Sequence, residues 1–346
     1  MLKIWKRSLL ILICLLATNF PNLVKADTVT SSDALVHFID NKLTGKYGIY
    51  TNYLAKTGND DTLATGHQYL SESSGYYLQY LAETKQNKKF RAFYALTKKT
   101  FYRQGVFLYR FDAKHPDKYQ VNATVDDLRI ISALMTYDKK YQSEVKDLYK
   151  KLSIRVKQAG LLTDMYSLDS KTHNQLVTLC YQDLSVLKKL DSRSYHKALR
   201  VVEEGKISHE VPLYYQSYNL KDKKYAKDKL VTPQLLITFL HLAEVDKLPK
   251  DSLNWVKQKV DTQTLYNAYS VTGKAEDKST SAANYAIAMM IGNAVHDDQL
   301  YDAAKKVLLS MQVTDKKSEI YGSFGDSKTK QVYSFNELNA LVALNQ

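Results

Sequence analysis

The chain has 346 residues, of which 45% are hydrophobic and 25% are charged, with 12 glycines and 5 prolines. This composition excludes an intrinsically disordered chain, a collagen-like repeat and a protein with many membrane spans. The formal net charge is +13, and the chain carries 27 tyrosines against two tryptophans. The length is typical of two ordinary domains or of one large closed unit.

The first 26 residues have the pattern of a secretory signal peptide. Three basic residues precede the apolar run 9–17, and residues 24–26 form a small-residue cleavage site. We therefore predict a soluble protein that is secreted or associated with the cell surface, with residues 27–346 as the mature chain. An N-terminal anchor that is not cleaved stays open as an alternative. Cys180 is the single cysteine of that mature chain, so we expect no intramolecular disulfide.

Two kinds of helical pattern alternate along the mature chain. One kind repeats apolar residues on a single face, over residues 140–158, 250–260 and 298–312. The other kind is apolar nearly all round, over residues 128–135, 235–243, 282–295 and 338–344. The first kind predicts outer helices with one solvent-exposed face, and the second predicts buried inner helices.

A short extended segment that carries aromatic residues follows each predicted outer helix. The six segments are 47–53, 106–111, 161–168, 211–220, 264–271 and 319–324. Their starts recur about every 50–60 residues, which is typical of a repeat array. Gly45, Gly105, Gly160 and Gly205 lie near the ends of four outer helices, where a left-handed C-cap favours glycine. Six units of outer helix, extended segment and inner helix predict an all-α (α/α)6 toroid that forms a single domain. A two-domain helical protein and an open solenoid stay open.

Polar residues stand at the starts of the predicted inner helices. If the helices alternate in direction, these starts share one rim with the extended segments, and helix N-termini favour carboxylates there. The residues are Ser71, Glu72, Thr124, Asp126, Asp127, Thr178, Asp183, Thr232, Gln234, Ser281, Asn284, Asn336 and Glu337. Helix capping explains any single one of them. Several carboxylates beside many tyrosines favour a sugar-binding or polyol-binding site.

Residues 71–76 and 123–130 carry the most specific patterns. The first stretch, Ser-Glu-Ser-Ser-Gly-Tyr, resembles the Ser-Glu-x-x-Gly-Tyr motif of glycoside hydrolase family 8, whose glutamate is the general acid. The second, Ala-Thr-Val-Asp-Asp-Leu-Arg-Ile, is similar to the family's Ala-Ser/Thr-Asp-Ala/Gly-Asp-x-x-Ile pattern, with Asp127 on its second aspartate. The family also folds as an (α/α)6 barrel, so the resemblance spans most of the mature chain. It is closest to small secreted members associated with exopolysaccharide operons of Gram-positive bacteria.

This resemblance implies an endo-acting hydrolase that cleaves a secreted, β-linked exopolysaccharide. An inverting reaction needs a protonated carboxyl group at the leaving oxygen and an ionised carboxylate that holds water, about 6.5–9.5 Å apart. Glu72 is the expected acid, and Asp127 is expected to stay ionised and to hydrogen-bond the distorted sugar ring. A non-catalytic glycan-binding toroid and a polysaccharide lyase stay open as alternatives.

The chain departs from the family pattern at two positions. The first aspartate of the second motif is Val125 here. At the start of the eighth helix, where one subgroup of the family carries its general base, the chain has Gln234 and no carboxylate. We therefore take Asp183 as the first candidate for the base, followed by two residues on rim loops, Glu210 and Asp164.

The substrate platforms are expected to be tyrosines. Sugar rings stack on aromatic side chains, and Trp255, the one tryptophan of the mature chain, lies on a predicted outer helix where packing explains it. The candidate platforms are Tyr109, Tyr166, Tyr215 and Tyr269.

Other ligands are not expected. The eight histidines show no metal-ligand spacing, and the chain has no phosphate-binding glycine loop and no nucleophile elbow, so we expect no metal ion and no cofactor. The lysines are scattered over the outer helices, which predicts a basic surface for acidic glycans or wall polymers and not a nucleic-acid-binding protein. We expect a monomer that binds a polysaccharide and is not inserted in a membrane after signal cleavage.

Overall fold

The structure, a computed structural model, describes residues 31–56 and 64–346. The predicted signal peptide, residues 1–26, lies outside the described residues. Twelve α-helices of the described chain alternate between an outer and an inner ring, which confirms the predicted all-α (α/α)6 toroid. Within residues 31–56 and 64–346, no helix has the length and apolar character needed to span a membrane.

The helix boundaries follow the two sequence patterns. The outer helices are α1 (Ser31–Phe38, continued by a π-helical turn at Ile39–Leu43), α3 (Asn87–Phe101), α5 (Gln142–Val156), α7 (Ser192–Glu204), α9 (Lys250–Asp261) and α11 (Asp298–Ser310). The inner helices are α2 (Ser71–Glu83), α4 (Thr124–Tyr137), α6 (Leu184–Leu190), α8 (Thr232–Ala243), α10 (Ala282–Ala294) and α12 (Ser334–Ala343). Short 3-10 turns at Lys139–Tyr141 and Leu179–Tyr181 precede α5 and α6.

The burial of each helix explains its place in the rings. In α10, every residue from 282 to 292 is buried, as expected for a helix that neighbours surround on all sides. In α5, Val145, Leu148, Leu152 and Val156 are buried along one face, while lysines occupy much of the opposite face. The core therefore lies between the two rings and inside the inner ring.

Very short antiparallel strands connect the helices at the rims. They pair as Thr44–Gly45 with Gly48–Ile49, Tyr69–Leu70 with Arg110–Phe111, Tyr102–Arg103 with Val106–Phe107, Lys157–Gln158 with Leu161–Leu162, and Tyr166–Ser167 with Thr172–His173. Two three-stranded sheets join Leu176–Thr178, Ser217–Asn219 and Lys224–Tyr225, and Leu230–Val231, Ala268–Tyr269 and Ala275–Asp277. Most of the predicted extended segments contain one of these strands, whereas residues 319–324 form turns.

Glycine has two different roles after the outer helices. Gly105 (φ +95°) and Gly160 (φ +82°) adopt the left-handed conformation, but they do so in hairpin turns just beyond the helix ends. The prediction of a left-handed C-cap is wrong for Gly45 and Gly205, and the φ of Gly205 is −75°. Gly45 is needed for a close approach instead, because a Cβ atom there would lie 2.3 Å from the Tyr50 ring.

Many tyrosines stabilise the outer ring. Their hydroxyls donate to carboxylates that also bind lysines: Tyr77 and Lys89 to Asp40, Tyr94 and Lys98 to Glu144, and Tyr149 and Lys157 to Asp191. Each of these carboxylates lies at a different contact between neighbouring units. Part of the tyrosine excess therefore serves packing between helices and not the rim.

Hydrogen bonds join neighbouring units at five of the six junctions of the described ring. The first backbone amides of a helix have no partner inside the helix and must find one elsewhere. Here the amide that opens the inner part of a unit donates to a carbonyl in the rim segment of the next unit; we call these the rim bonds. They run from Ser71 to Tyr109, Thr124 to Asp164, Leu179 to Gln216, Thr232 to Asn267, and Ser334 to Thr51, at 2.8–3.1 Å. The last of these joins the sixth unit to the first.

Side-chain hydroxyls reinforce the rim bonds, and this contribution can be measured. The Thr232 hydroxyl donates to the Tyr266 carbonyl at 2.5 Å and is fully buried. Thr232→Val keeps the size of the side chain but leaves that carbonyl without this donor. We expect the free energy of unfolding in urea to fall by about 1–3 kcal/mol. The same change at the exposed Thr272 should alter it by less than about 0.5 kcal/mol. Equal effects of the two substitutions would contradict the proposed contribution.

Candidate active site

A groove crosses the rim where the inner helices begin. Its central part, which we call the central cleft, has a volume of about 290 Å³. Its lining includes two carboxylates, Glu72 and Asp126, with Arg129 beside them. The rest of the lining includes Leu70, Tyr109, Ala123, Val125, Cys180, Tyr181, Val231, Pro233, Gln234, Ile237 and Phe335.

The two carboxylates of the central cleft have very different surroundings. Asp126 is 4% exposed and accepts hydrogen bonds from the Ser71 hydroxyl (2.8 Å), from Arg129 Nη1 (3.0 Å) and from the Glu72 backbone amide. Among residues 31–56 and 64–346, no group donates a hydrogen bond to the Glu72 carboxyl. Burial, and then the negative charge of Asp126, raise the pKa of Glu72 from 4.5 to about 7, although Arg129 opposes them.

When Glu72 and Asp126 together carry one proton, that proton is on Glu72. Burial also raises the pKa of Asp126, but Arg129 and the Ser71 hydroxyl stabilise its ionised form. Glu72 lacks such donors, so its neutral form is favoured beside an ionised Asp126. The arrangement provides a carboxylic acid that is still protonated near neutral pH, next to a fixed negative charge.

The motif residues Gly75 and Tyr76 position Arg129. A Cβ atom on Gly75 would lie 3.0 Å from the Arg129 side chain, so glycine leaves room for it to pass. The guanidinium lies 4.1 Å from the centre of the Tyr76 ring, and the Arg129 side chain is 10% exposed. The glycine and the tyrosine of the Ser-Glu-x-x-Gly-Tyr motif therefore position Arg129, and Arg129 in turn binds Asp126.

The prediction for Asp127 needs correction. Its carboxylate accepts hydrogen bonds from the Phe107 amide (2.9 Å) and from Asn122 Nδ2 (2.8 Å), and it does not line the central cleft. Adjacent residues of a helix point about 100° apart, so Asp126 and Asp127 cannot face the same space. Asp126 occupies the position beside Glu72, and Asp127 fixes a rim segment.

The candidates for the general base also lie outside the central cleft. Because the 3-10 turn Leu179–Tyr181 fills the rim position, α6 starts deeper in the ring, and Asp183 caps it through the Val186 amide (2.9 Å). Asp164 accepts from the amide and hydroxyl of Thr178, at 2.6 and 2.7 Å. Glu210 is exposed on its loop. None of these three carboxylates lines the central cleft or the parts of the groove that continue from it.

One of the four predicted tyrosine platforms is in place. Tyr109 lines the central cleft. Tyr269 is 1% exposed, and its hydroxyl donates to the Thr264 carbonyl, so it belongs to the core. It packs against Trp255 at 5.1 Å, and this contact confirms the packing role expected of the tryptophan.

The other two predicted platforms also lie away from the central cleft. Tyr215 stacks on Tyr225 at 5.7 Å, and the Tyr225 hydroxyl donates to the Val201 carbonyl of the outer helix α7. Tyr166 lies in a rim hairpin. The burial of Tyr269 contradicts its prediction as a platform, because the position of a residue in a short segment does not reveal which way its side chain points. Tyr166 and Tyr215 are partly exposed and stay predictions.

Several residues of the groove were missed by the sequence reasoning. Tyr181 and Phe335 line the central cleft, and Tyr333 lies further along the groove with 43% of its surface exposed. Tyr333 and Phe335 flank Ser334, the first residue of α12. A pattern of polar residues at helix starts does not reveal the aromatic residues beside them. Gln234 lines the central cleft as its position suggested, and its Oε1 accepts from Gln216 Nε2 at 2.8 Å.

The groove continues beyond the central cleft. The adjoining section, about 390 Å³, shares Val231, Pro233 and Phe335 with it and contains Asp277. A third section of about 430 Å³ follows and shares Tyr333 with the second. In the other direction, Val125, Arg129 and Ile237 line both the central cleft and a cavity deeper in the ring. That cavity contains Asp183, His241 and Glu244, which could hold a metal ion.

Several proteins of known structure resemble this chain over most of its length. No family model and no curated protein sequence matches the chain. An alpha-amylase from Clostridium perfringens is similar in structure, with a TM-score of 0.84 and 29% identity, covering 91% of this chain and 96% of that one. PssZ from Listeria monocytogenes has a TM-score of 0.71 and 17% identity, covering 92% and 95%. A cold-adapted family 8 xylanase has a TM-score of 0.62 and 9% identity, covering 91% and 88%.

The chain is a glycoside hydrolase with the fold of family 8. The resemblance inferred from residues 71–76 and 123–130 is confirmed at this level. For such a hydrolase, the central cleft is the candidate active site, since it contains the motif glutamate with its raised pKa.

The isolation of Glu72 has a consequence for stability. Because folding raises the pKa of Glu72 from 4.5 to about 7, the folded protein resists losing this proton, and stability falls as pH rises between those values. Glu72→Gln removes this penalty. We expect the variant to be more stable than the wild type by about 1–3 kcal/mol at pH 8, and equally stable below pH 4.5.

Chemical unfolding at the two pH values tests this expectation. Glu276→Gln, at an exposed carboxylate of the rim, is the control and should leave stability unchanged at both. A difference between Glu72→Gln and wild type that does not depend on pH would contradict the raised pKa.

Proposed function

We propose that the protein is an endo-acting, inverting hydrolase of a secreted, β-linked exopolysaccharide, and that it acts outside the cell. The observation that carries this proposal is the pair of Glu72 and Asp126 in an open groove: one protonated acid without hydrogen bonds beside one fixed negative charge. General acid catalysis of glycoside cleavage requires such a protonated carboxyl group at neutral pH.

Each residue has a role in the proposed reaction. Glu72 donates its proton to the oxygen of the leaving sugar. Asp126 keeps its negative charge beside the positive charge that develops on the sugar ring, and Arg129 keeps Asp126 in place. The charge of Asp126 also keeps the proton on Glu72 until the leaving oxygen takes it.

The shape of the groove supports cleavage within a chain. The three connected sections, of about 290, 390 and 430 Å³, provide room for several consecutive sugars. Tyr333 presents an exposed aromatic surface on which a sugar ring can stack. A pocket closed at one end would favour removal of terminal sugars instead.

The water molecule needs a base, and we assign this role to Asp277. It lines the section of the groove that adjoins the central cleft and shares Val231 and Pro233 with it. Hydrogen bonds from the hydroxyl and amide of Ser279, at 2.6 and 2.9 Å, lower the pKa of Asp277 below its usual range, so it stays ionised. Gln234, at the position where a family subgroup has its base, is an amide and cannot take a proton.

A second candidate substrate is an α-linked glucan. The similarity of 29% to an alpha-amylase favours it. Digestion of the producer's exopolysaccharide, carboxymethylcellulose, xylan and soluble starch separates the two candidates. We expect new reducing ends and an early fall in viscosity from the exopolysaccharide, with inverted anomeric configuration in the first product by proton NMR. Cleavage restricted to starch would establish the α-glucan, and retained configuration would exclude the inverting mechanism.

Variants locate the chemistry within the groove. We expect Glu72→Gln to lower kcat by about 10²–10⁴-fold, as loss of a general acid does. Asp277→Asn should lower kcat to a similar extent, whereas Asp326→Asn, at an acid of the third section, should change it less than about threefold. A polymer that the wild type binds without cleaving would instead establish a binding protein that has lost its base.

The pH profile tests the pairing of Glu72 with Asp126. Because Glu72 must be protonated, kcat/KM should fall as pH rises through about 7. Asp126→Asn removes the negative charge that raises the pKa of Glu72, so this fall should move to lower pH. Asp127→Asn changes an acid that bonds to Phe107 and Asn122, and should leave the fall where it is. The same profile for wild type and Asp126→Asn would refute the pairing.

A further inference from the structure

A second cavity lies deeper in the ring than the central cleft. Its volume is about 210 Å³, and later turns of the inner helices line it, with Gln79 of α2, Ser132 of α4, Asn293 of α10 and Asn339 of α12. We call it the lower cavity. Glu72, Asp126 and Phe335 of the central cleft come from the first turns of α2, α4 and α12, so the lower cavity lies further toward the opposite end of the ring.

Three potential metal ligands meet in the lower cavity. One ligand atom from each of Asp183, His241 and Glu244 lies within 4.8 Å of the other two. His241 and Glu244 are three residues apart at the end of α8, with Nδ1 and Oε2 3.2 Å apart, and Asp183 comes from the start of α6. We propose that these three side chains bind a divalent transition-metal ion such as Zn²⁺ or Mn²⁺.

Two buried polar atoms without partners support a ligand in this cavity. Asn339 is fully buried, and its Oδ1 has no hydrogen-bond partner in the part of the chain that the structure describes. The same is true of His241 Nε2, and the His241 side chain is 13% exposed. A buried acceptor without a donor is costly, and water bound to a cation would donate to Asn339 Oδ1, while the cation itself would take the lone pair of one His241 ring nitrogen.

The spacing suits direct coordination. Bonds from Zn²⁺ to nitrogen and oxygen ligands are about 2.0–2.2 Å long, which puts neighbouring ligand atoms about 3.0–3.6 Å apart. The distance of 3.2 Å between His241 Nδ1 and Glu244 Oε2 already falls in this range. The Asp183 oxygen lies within 4.8 Å of the other two ligand atoms, so it needs a movement of about 1.2–1.8 Å at most, which is within the reach of side-chain rotation around the ion.

Charge and donor type define the class of ion. The two carboxylates would balance a divalent cation, and Arg129, which also lines the cavity, is bound to Asp126 at 3.0 Å. An imidazole beside carboxylates favours zinc or manganese over calcium, which prefers oxygen ligands alone. An ion can enter beside Glu244, whose side chain is 35% exposed.

The spacing of the histidines along the chain predicts no metal site, because it matches no motif with two or more histidine ligands. Here one histidine meets carboxylates of two different elements, and the closed ring brings α6 to the end of α8. The proposal therefore rests on this cluster and not on the proposed hydrolysis, and it holds whether or not the protein cleaves a polysaccharide.

Metal titration of the purified protein, freed of metal by a chelator, tests the proposal. Zn²⁺, Mn²⁺, Ca²⁺ and Mg²⁺ are added separately and followed by calorimetry and by thermal unfolding. We expect Zn²⁺ or Mn²⁺ to bind one ion per chain and to raise Tm, because an ion that binds the folded state stabilises it. Absence of saturable Zn²⁺ and Mn²⁺ binding would overturn the proposal.

Variants show whether the ion binds at the cluster. His241→Gln and Glu244→Gln should each weaken binding by at least tenfold. Asp183→Asn should do the same, and it keeps the cap of α6, so it provides a test if His241→Gln does not fold. His209→Gln alters an exposed histidine that contacts Asp251 at 3.0 Å and should bind like the wild type. Equal binding by Asp183→Asn and wild type, or loss in His209→Gln, would contradict the assignment.

Discussion

The rim bonds are the constraint on which this structure depends. The first backbone amide of an inner helix has no acceptor inside that helix. At five of the six junctions of the described ring the acceptor is a carbonyl in the next unit, so the start of the helix is satisfied only when that neighbour is in place. The bond from Ser334 to Thr51 joins the last unit to the first. The same bonds bring the starts of the inner helices to one rim, where the central cleft is formed.

At the candidate site, the hydroxyl of the first residue of the inner helix donates to a different kind of acceptor. In α4 and α8, the hydroxyl of the first residue donates to a carbonyl of the next unit, Thr163 or Tyr266. In α2, the Ser71 hydroxyl donates to the Asp126 carboxylate instead. The charged group thereby joins two neighbouring inner helices, and Glu72, one residue further, is left without a donor. The proposed catalytic pair therefore takes the place of a structural contact of the repeat and needs no additional helix or strand.

The fold could be predicted because burial imposes a period on the sequence. The all-round apolar pattern of α10 and the one-sided pattern of α5 follow directly from their places in the two rings. The site was predictable in part. Glu72 belongs to a specific motif, but a linear pattern does not reveal which of Asp126 and Asp127 faces the cleft. Asp183 was misplaced because one 3-10 turn delays the start of α6, and a turn of three residues leaves no periodic signal.

Three side chains lie between the central cleft and the lower cavity. Val125, Arg129 and Ile237 line both spaces. The depth of the central cleft as a binding site therefore depends on these three side chains. Within the same scaffold, smaller residues at these positions would give a longer passage, and larger ones a shallow trough.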